Sequence, residues 1–343
     1  MEKNNGITGL KIVMSFAVVC RHFWKTCRFE GLYSHIYPIT SWAVPAFMII
    51  SFMLSYKHFR ECDCKWIRSR IWKLYKPILY WGVIFYLIYK MLGILVGEGW
   101  VTGKDLLIHL CTGASPSICP PMWFEFDLIV LSIVAFLLIY WFGVKGGEAL
   151  LCIIGVIALI SEYTGWIPLL FADKSYAVQG SLGWSVQHSF GMLPEMFPFV
   201  VIGYLFSKFD IIHFLKKYGK ISGLFLTISL IIIVACENKF PVAQGIWYSG
   251  IYLILVATIL VALFCLVPEA FWNNGKFVIN FLGKYTMGVY FMHSFVGFLV
   301  NIVANKMGFE VSTLGVCFVI YFLSIIISAL IDRLPFRFCK GLV

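Results

Sequence analysis

Charge is what this sequence has least of. Asp, Glu, Lys and Arg make up only 13% of its 343 residues, against about 25% in a soluble globular protein. That supply cannot cover the water-facing surface of the two or three soluble domains that such a length would otherwise allow. Eleven cysteines contain no CxxC pair, and Cys62-x-Cys64 is too tightly spaced for a zinc half-site, so no metal is expected. A disulfide scaffold is excluded by length. No Gly/Ser-rich or Pro-rich linker divides the chain and no internal repeat stands out, so a single domain over 1–343 is expected. No small-residue cleavage site follows the first apolar stretch, which is therefore expected to remain as a helix.

What is present is apolar. Hydrophobic residues form 61% of the chain and the mean hydropathy is +0.88, which rules out disorder. The apolar residues come in long runs, not in the weak alternation of an outer-membrane barrel. The fold class is therefore all-α, a polytopic membrane protein. Ten runs approach the roughly 20 residues that a span requires: 7–24, 38–56, 77–96, 124–142, 149–167, 192–209, 221–236, 245–267, 277–300 and 312–330.

The net charge of +10 does not indicate a nucleic-acid partner, because Lys and Arg gather in short loops without forming a basic domain. Those loops set orientation, since Lys and Arg favour the cytoplasmic side. With the N-terminus inside, 17 of the 27 Lys and Arg fall on inner segments, seven on outer segments and three within spans. Both termini are thus expected in the cytoplasm. The longest outer segments, 97–122 and 168–191, are either caps over an outward-facing site or simple surface loops.

Ionisable groups inside spans are the natural functional suspects. Lys11 and His22 share one face of the first span, three helical turns and about 16 Å apart. Lys11 sits low and His22 near the outer end. In the ninth run, Tyr290 and His293 are spaced i, i+3, and His293 lies about as high as His22. Two imidazoles at one depth are positioned to share a cavity. The plainer alternatives are a snorkelling Lys11 and structural histidines. The inner loop 57–76 is basic and aromatic. Within it Arg70 and Lys73 lie one turn apart just before Pro77, where they could hold a phosphate, with Arg68 nearby. Glu125 and Asp127 stand at the outer start of the fourth run, as headgroup-level charges or as groups that orient a sugar or an imidazole. Glu195, opening the sixth run, stays ambiguous.

At these residues the chain resembles the acyltransferase-3 family of integral membrane acyltransferases. GLKIVMSFAVVCRHF resembles its basic residue, ten intervening residues and His, with Lys11 where Arg is usual. VPAFMIISFMLSYK is similar to its second-span stretch, although Ser51 is followed by Phe52 and a Gly is missing. RSRIWKLYKP resembles the R-x-x-R-then-Pro opening of the third span, with Lys73 as the second base. MWFEFDLI and LGKYTMGVYFMH are similar to its "LWFL" and "LG-x-x-S-hydrophobic-x-Y-x-x-H" stretches. The resemblance covers nearly the whole chain.

The resemblance implies transfer of an acyl group, most often acetyl, from cytoplasmic acyl-CoA to a hydroxyl on an extracytoplasmic carbohydrate. His22 would be the general base, with His293, Tyr290, Glu125 and Asp127 positioning it or the acceptor. Arg68, Arg70 and Lys73 would hold the phosphates of acyl-CoA (acetyl-CoA), and Lys11 would flank its pantetheine arm. The expected partners are the bilayer of the inner (plasma) membrane, acyl-CoA and a carbohydrate, with self-association into a homo-oligomer left open. A carrier or exporter of a small molecule or lipid-linked sugar also fits ten spans, though inverted repeats are not evident. A scaffold within an export complex is the third alternative.

Overall fold

The computed structural model describes residues 5–23, 40–96, 101–113, 118, 122–164, 182–236, 251–273, 275–307 and 313–335. Among these residues every regular element is an α-helix. In a bilayer an unpaired backbone group has no water to bond, and a helix satisfies its backbone from within. The helices are α1 (Asn5–Phe23), α2 (Ala43–Arg60), α3 (Cys64–Val96), α4 (Gly103–Thr112), α5 (Trp123–Thr164) and α6 (Leu182–Lys208). They continue as α7 (Ile211–Ala235), α8 (Ile251–Leu266), α9 (Glu269–Asn273), α10 (Lys276–Lys284), α11 (Thr286–Met307) and α12 (Thr313–Arg333).

Among the described residues six stretches are long and apolar enough to cross a membrane: Asn5–Phe23, Trp123–Ser161, Phe190–Lys208, Ile211–Ala235, Thr286–Ala304 and Leu314–Arg333. The second contains two of the expected runs. Gly143, at φ 68° and ψ 170°, breaks α5 into two arms. The arms fold tightly together, because a Cβ on Gly147 would come within 2.5 Å of the Ile139 backbone. Only glycine fits there.

Three expected boundaries change. The inner loop 57–76 is helix, turn and helix: α2 runs to Arg60, Cys62 takes the left-handed conformation (φ 51°), and α3 starts at Cys64. The Asp63 carboxylate caps α3 by accepting the Trp66 N–H at 2.9 Å. Those charges line a helix, and Pro77 lies inside α3 instead of opening a span. The run 277–300 is divided at Tyr285 into α10 and α11. The outer segment 97–122 holds α4, capped by a reciprocal Thr102–Asp105 box and buried along Ile108, His109 and Thr112. The expected outer segment 168–191 lies, as far as 181, outside the described residues.

The chain packs as two compact units, one drawn from Met1–Ile50, Phe209–Lys239 and Tyr252–Val343, the other from Ser51–Lys208 and Phe240–Ile251. In the first, α1 is the central element and packs on α9, α10, α11 and α12. Close approach is built into it: a Cβ on Gly9 would meet Trp272, one on Gly283 would meet Thr8, and one on Gly297 would meet Phe23. The Glu269 carboxylate accepts the Asn5 N–H at 3.2 Å and its side-chain amide at 2.7 Å, satisfying the start of α1. By contrast α7 buries only Ser222, as suits an apolar helix facing lipid. In the second unit α5 packs on α6 and α3, and α4 lies against α3 and α6. There Glu148 accepts from Tyr204 Oη at 3.1 Å and pairs with Lys208, tying the second arm of α5 to α6.

Candidate active site

In the first unit α1 and α11 bring the two expected imidazoles together. The rings of His22 and His293 lie 5.0 Å apart, tilted by 45°. His22 is exposed, while His293 is fully buried behind it. The environment of His293 sets its tautomer: Nδ1 lies 3.1 Å from the Val289 carbonyl, which can only accept. Nδ1 therefore carries the proton, and Nε2 is left to accept, with the Ser294 hydroxyl at 3.5 Å. Tyr290 is buried and its ring is 6.1 Å from that of His293. Phe23 meets the same imidazole edge-on at 6.1 Å and seats its ring against Gly297. Next to His22, the buried Arg21 donates to Ser41.

Lys11 lies on the same helix, half-exposed, eleven residues and about 16 Å below His22. Among the described residues it has no ion-pair partner.

In the second unit the basic residues separate. Arg70 turns inward, donating from Nε to Ser132 Oγ at 2.9 Å and from Nη2 to Ser51 Oγ at 2.6 Å. Its guanidinium also lies 5.3 Å from the Trp66 ring and 5.8 Å from that of Phe52. Arg68 and Lys73 are exposed and take no part in this arrangement. Ser132 is nine residues from Trp123 and eleven from Gly143, so Arg70 meets the first arm of α5 about halfway along, roughly 14 Å from its start. The expectation of a cation in an inner loop thus gives way to one set into the helical layer.

Glu125 and Asp127 are fully buried, and no carboxylate oxygen of either has a hydrogen-bond partner among the described residues. Asp127 is within electrostatic reach of both Glu125 and the buried Glu195. Glu125 and Ser132 are seven residues apart and share a face of α5, with the acid nearer the start of the helix. His109, on α4, is also buried, and neither ring nitrogen makes a well-formed hydrogen bond among the described residues. It packs against Gly82 of α3, and burial pushes its pKa down to about 4, partly opposed by a backbone group of Ile78.

Ser132, Trp66 and His109 were not singled out by sequence reasoning. Ser132 carried a faint signal, as the lone hydroxyl between Leu128 and Ile139. No group of three or more metal-ligating side chains occurs among the described residues.

Helices long and apolar enough to cross a membrane make this a multi-pass membrane protein. Residues 4–333, passing through both units, match the acyltransferase-3 family model, described as an acyltransferase domain. The chain belongs to that family. No curated protein and no solved structure matches it.

Proposed function

We propose that the protein transfers an acyl group, acetyl foremost, from cytoplasmic acyl-CoA to a hydroxyl of an extracytoplasmic carbohydrate, with His22 as the general base. The observation that carries this reading is the His22–His293 pair. An exposed imidazole is backed by a buried one whose tautomer is fixed by a carbonyl. In the reaction, His22 takes the proton of the acceptor hydroxyl as its oxygen attacks the thioester carbonyl. The carbon–sulfur bond breaks, and the departing thiolate of CoA recovers the proton. One ester forms for each thioester consumed.

The other residues support the same chemistry. Arg70 supplies a cation with no carboxylate partner among the described residues, as a phosphate requires. Glu125 and Asp127 offer unspent oxygens of the type that bind sugar hydroxyls. Ten crossings are read from α1, α2, α3, the two arms of α5, α6, α7, α8, α11 and α12. Both termini are cytoplasmic on the distribution of Lys and Arg, in a multi-pass protein of the plasma membrane.

The test is His22→Gln, which keeps a hydrogen-bonding side chain and cannot take up a proton. Positioned acid–base catalysis is worth roughly 10²–10⁴-fold, so turnover should fall by about that factor while coenzyme A binding persists. Transfer at close to the parent rate would refute the assignment.

A further inference from the structure

We infer that Ser51, Ser132 and Trp66 are positioning residues that hold the Arg70 guanidinium in one orientation, with its free edge presented to a phosphate of the acyl donor. This rests on the donor role proposed for Arg70 above. An arginine side chain has about 2 kcal/mol of rotamer entropy to lose, and a bidentate phosphate contact needs its planar fork held still. The structure fixes that plane from two directions. Nε is tied to Ser132 on α5 and Nη2 to Ser51 on α2, so the fork is held at two different nitrogens.

Each serine is itself prepared for this. The Ser132 hydroxyl donates its proton to the Leu128 carbonyl at 2.5 Å, so only its lone pairs can face Arg70. The carbonyl of Ser51 accepts from the Ser55 hydroxyl at 2.6 Å, which anchors that turn of α2. Trp66 flanks the cation and is itself stacked on His58 at 4.7 Å and 6°, while Phe59 meets it edge-on at 5.3 Å.

The accounting of donors points outward. A guanidinium has five N–H groups, and among the described residues two bonds to neutral hydroxyls occupy them. No carboxylate among the described residues pairs with Arg70, and the side chain is half-buried. A residue that merely stapled helices together would have its charge neutralised or its donors spent.

The experiment uses the full-length protein in lipid nanodiscs, with coenzyme A as the binding probe and separate KM values for acyl-CoA and acceptor. Ser51→Ala/Ser132→Ala should raise the Kd for coenzyme A and the KM for acyl-CoA by about tenfold or more, since hydrogen bonds to a charged group are lost. The acceptor KM and kcat should stay near the parent values. Arg70→Lys, which keeps the charge and loses the fork, should resemble the double variant. Ser51→Thr, which keeps the hydroxyl, should bind coenzyme A as the parent does. Binding should also change Trp66 fluorescence, and the change should vanish in Trp66→Phe.

Two failures are distinguishable. If Arg70→Ala binds coenzyme A like the parent, the donor site is misplaced and the reading under Proposed function falls with it. If Arg70→Ala loses binding while the double serine variant binds normally, the positioning inference alone is overturned. A double variant that lowers Tm and shifts both KM values equally would assign the serines a purely structural role and would also overturn it.

Discussion

Gly297→Ala should damage catalysis without touching any group that meets substrate. A Cβ built on Gly297 would lie 2.0 Å from both Cε1 and Cζ of Phe23, where ordinary contact begins at 3.4 Å. Phe23 is buried and already edge-on to His293 at 6.1 Å, so its ring cannot swing aside without displacing that imidazole. Either α1 and α11 separate by about an ångström or the ring leaves its rotamer. Overpacking of this kind costs typically 1–3 kcal/mol, which in a chain of this size corresponds to a Tm lower by roughly 1–4 °C. The larger effect should be on rate. His22 precedes Phe23 in the chain, and a misplacement of about 1 Å can cost 10²-fold in turnover. The assay is acyl transfer by detergent-purified protein alongside its thermal unfolding, with Gly223→Ala as control, since nothing lies within 4 Å of that position. Phe23→Leu, combined with Gly297→Ala, should recover part of the loss by vacating the ring atoms. Gly297→Ala at parental turnover and Tm would refute this account of how α1 and α11 set the imidazole spacing.

Lys11 should tolerate Arg and fail with Met: Lys11→Met is expected to insert normally yet lose acyl transfer, whereas parental activity would make Lys11 only a headgroup anchor. His109 should make the protein acid-labile. Its pKa of about 4 in the folded state lies below the ordinary 6.5, so the unfolded chain binds more protons between those values. The stability held above pH ~6.5 is then lost as pH falls towards 4, by about 3 kcal/mol at most. Thermal unfolding from pH 7 to 4 should show this slope in the parent and a shallower one in His109→Leu; equal slopes would refute it.

The pairing of His22 with His293 was legible because a helix converts residue number into depth. Two imidazoles counted from the inner ends of two spans stand level, and they lie 5.0 Å apart. Depth is one-dimensional, however, and azimuth across helices is not written in either sequence segment. That is why Arg70 and Lys73, one turn apart, separate: Arg70 turns to Ser132 and Ser51, while Lys73 remains exposed. The stretch 57–76 read as a loop because dense charge usually marks one. Its helical character depends on the left-handed Cys62 and the Asp63 cap, which a three-residue turn conceals. Ser132 was illegible for a different reason. A lone serine in an apolar run ordinarily bonds its own helix, as this one does to Leu128, and its second role appears only once α3 is beside it.

Lysine at positions 11 and 73, beside arginine at position 70, has a physical sense. At Lys11 and Lys73 the side chain has no hydrogen-bond or ion-pair partner among the described residues, so whatever it does there it does as a point charge. A compact ammonium on a flexible stem suffices for that task. At position 70 the side chain must reach two hydroxyls on two different helices with two different nitrogens and still keep donors free. A lysine ammonium concentrates its three donors on one atom and cannot span that pair. Arginine stands where the fork has two fixed acceptors, and lysine where no such geometry occurs among the described residues. Charge alone is therefore interchangeable at the helix surface, and it ceases to be so where the cation is set between α2 and α5.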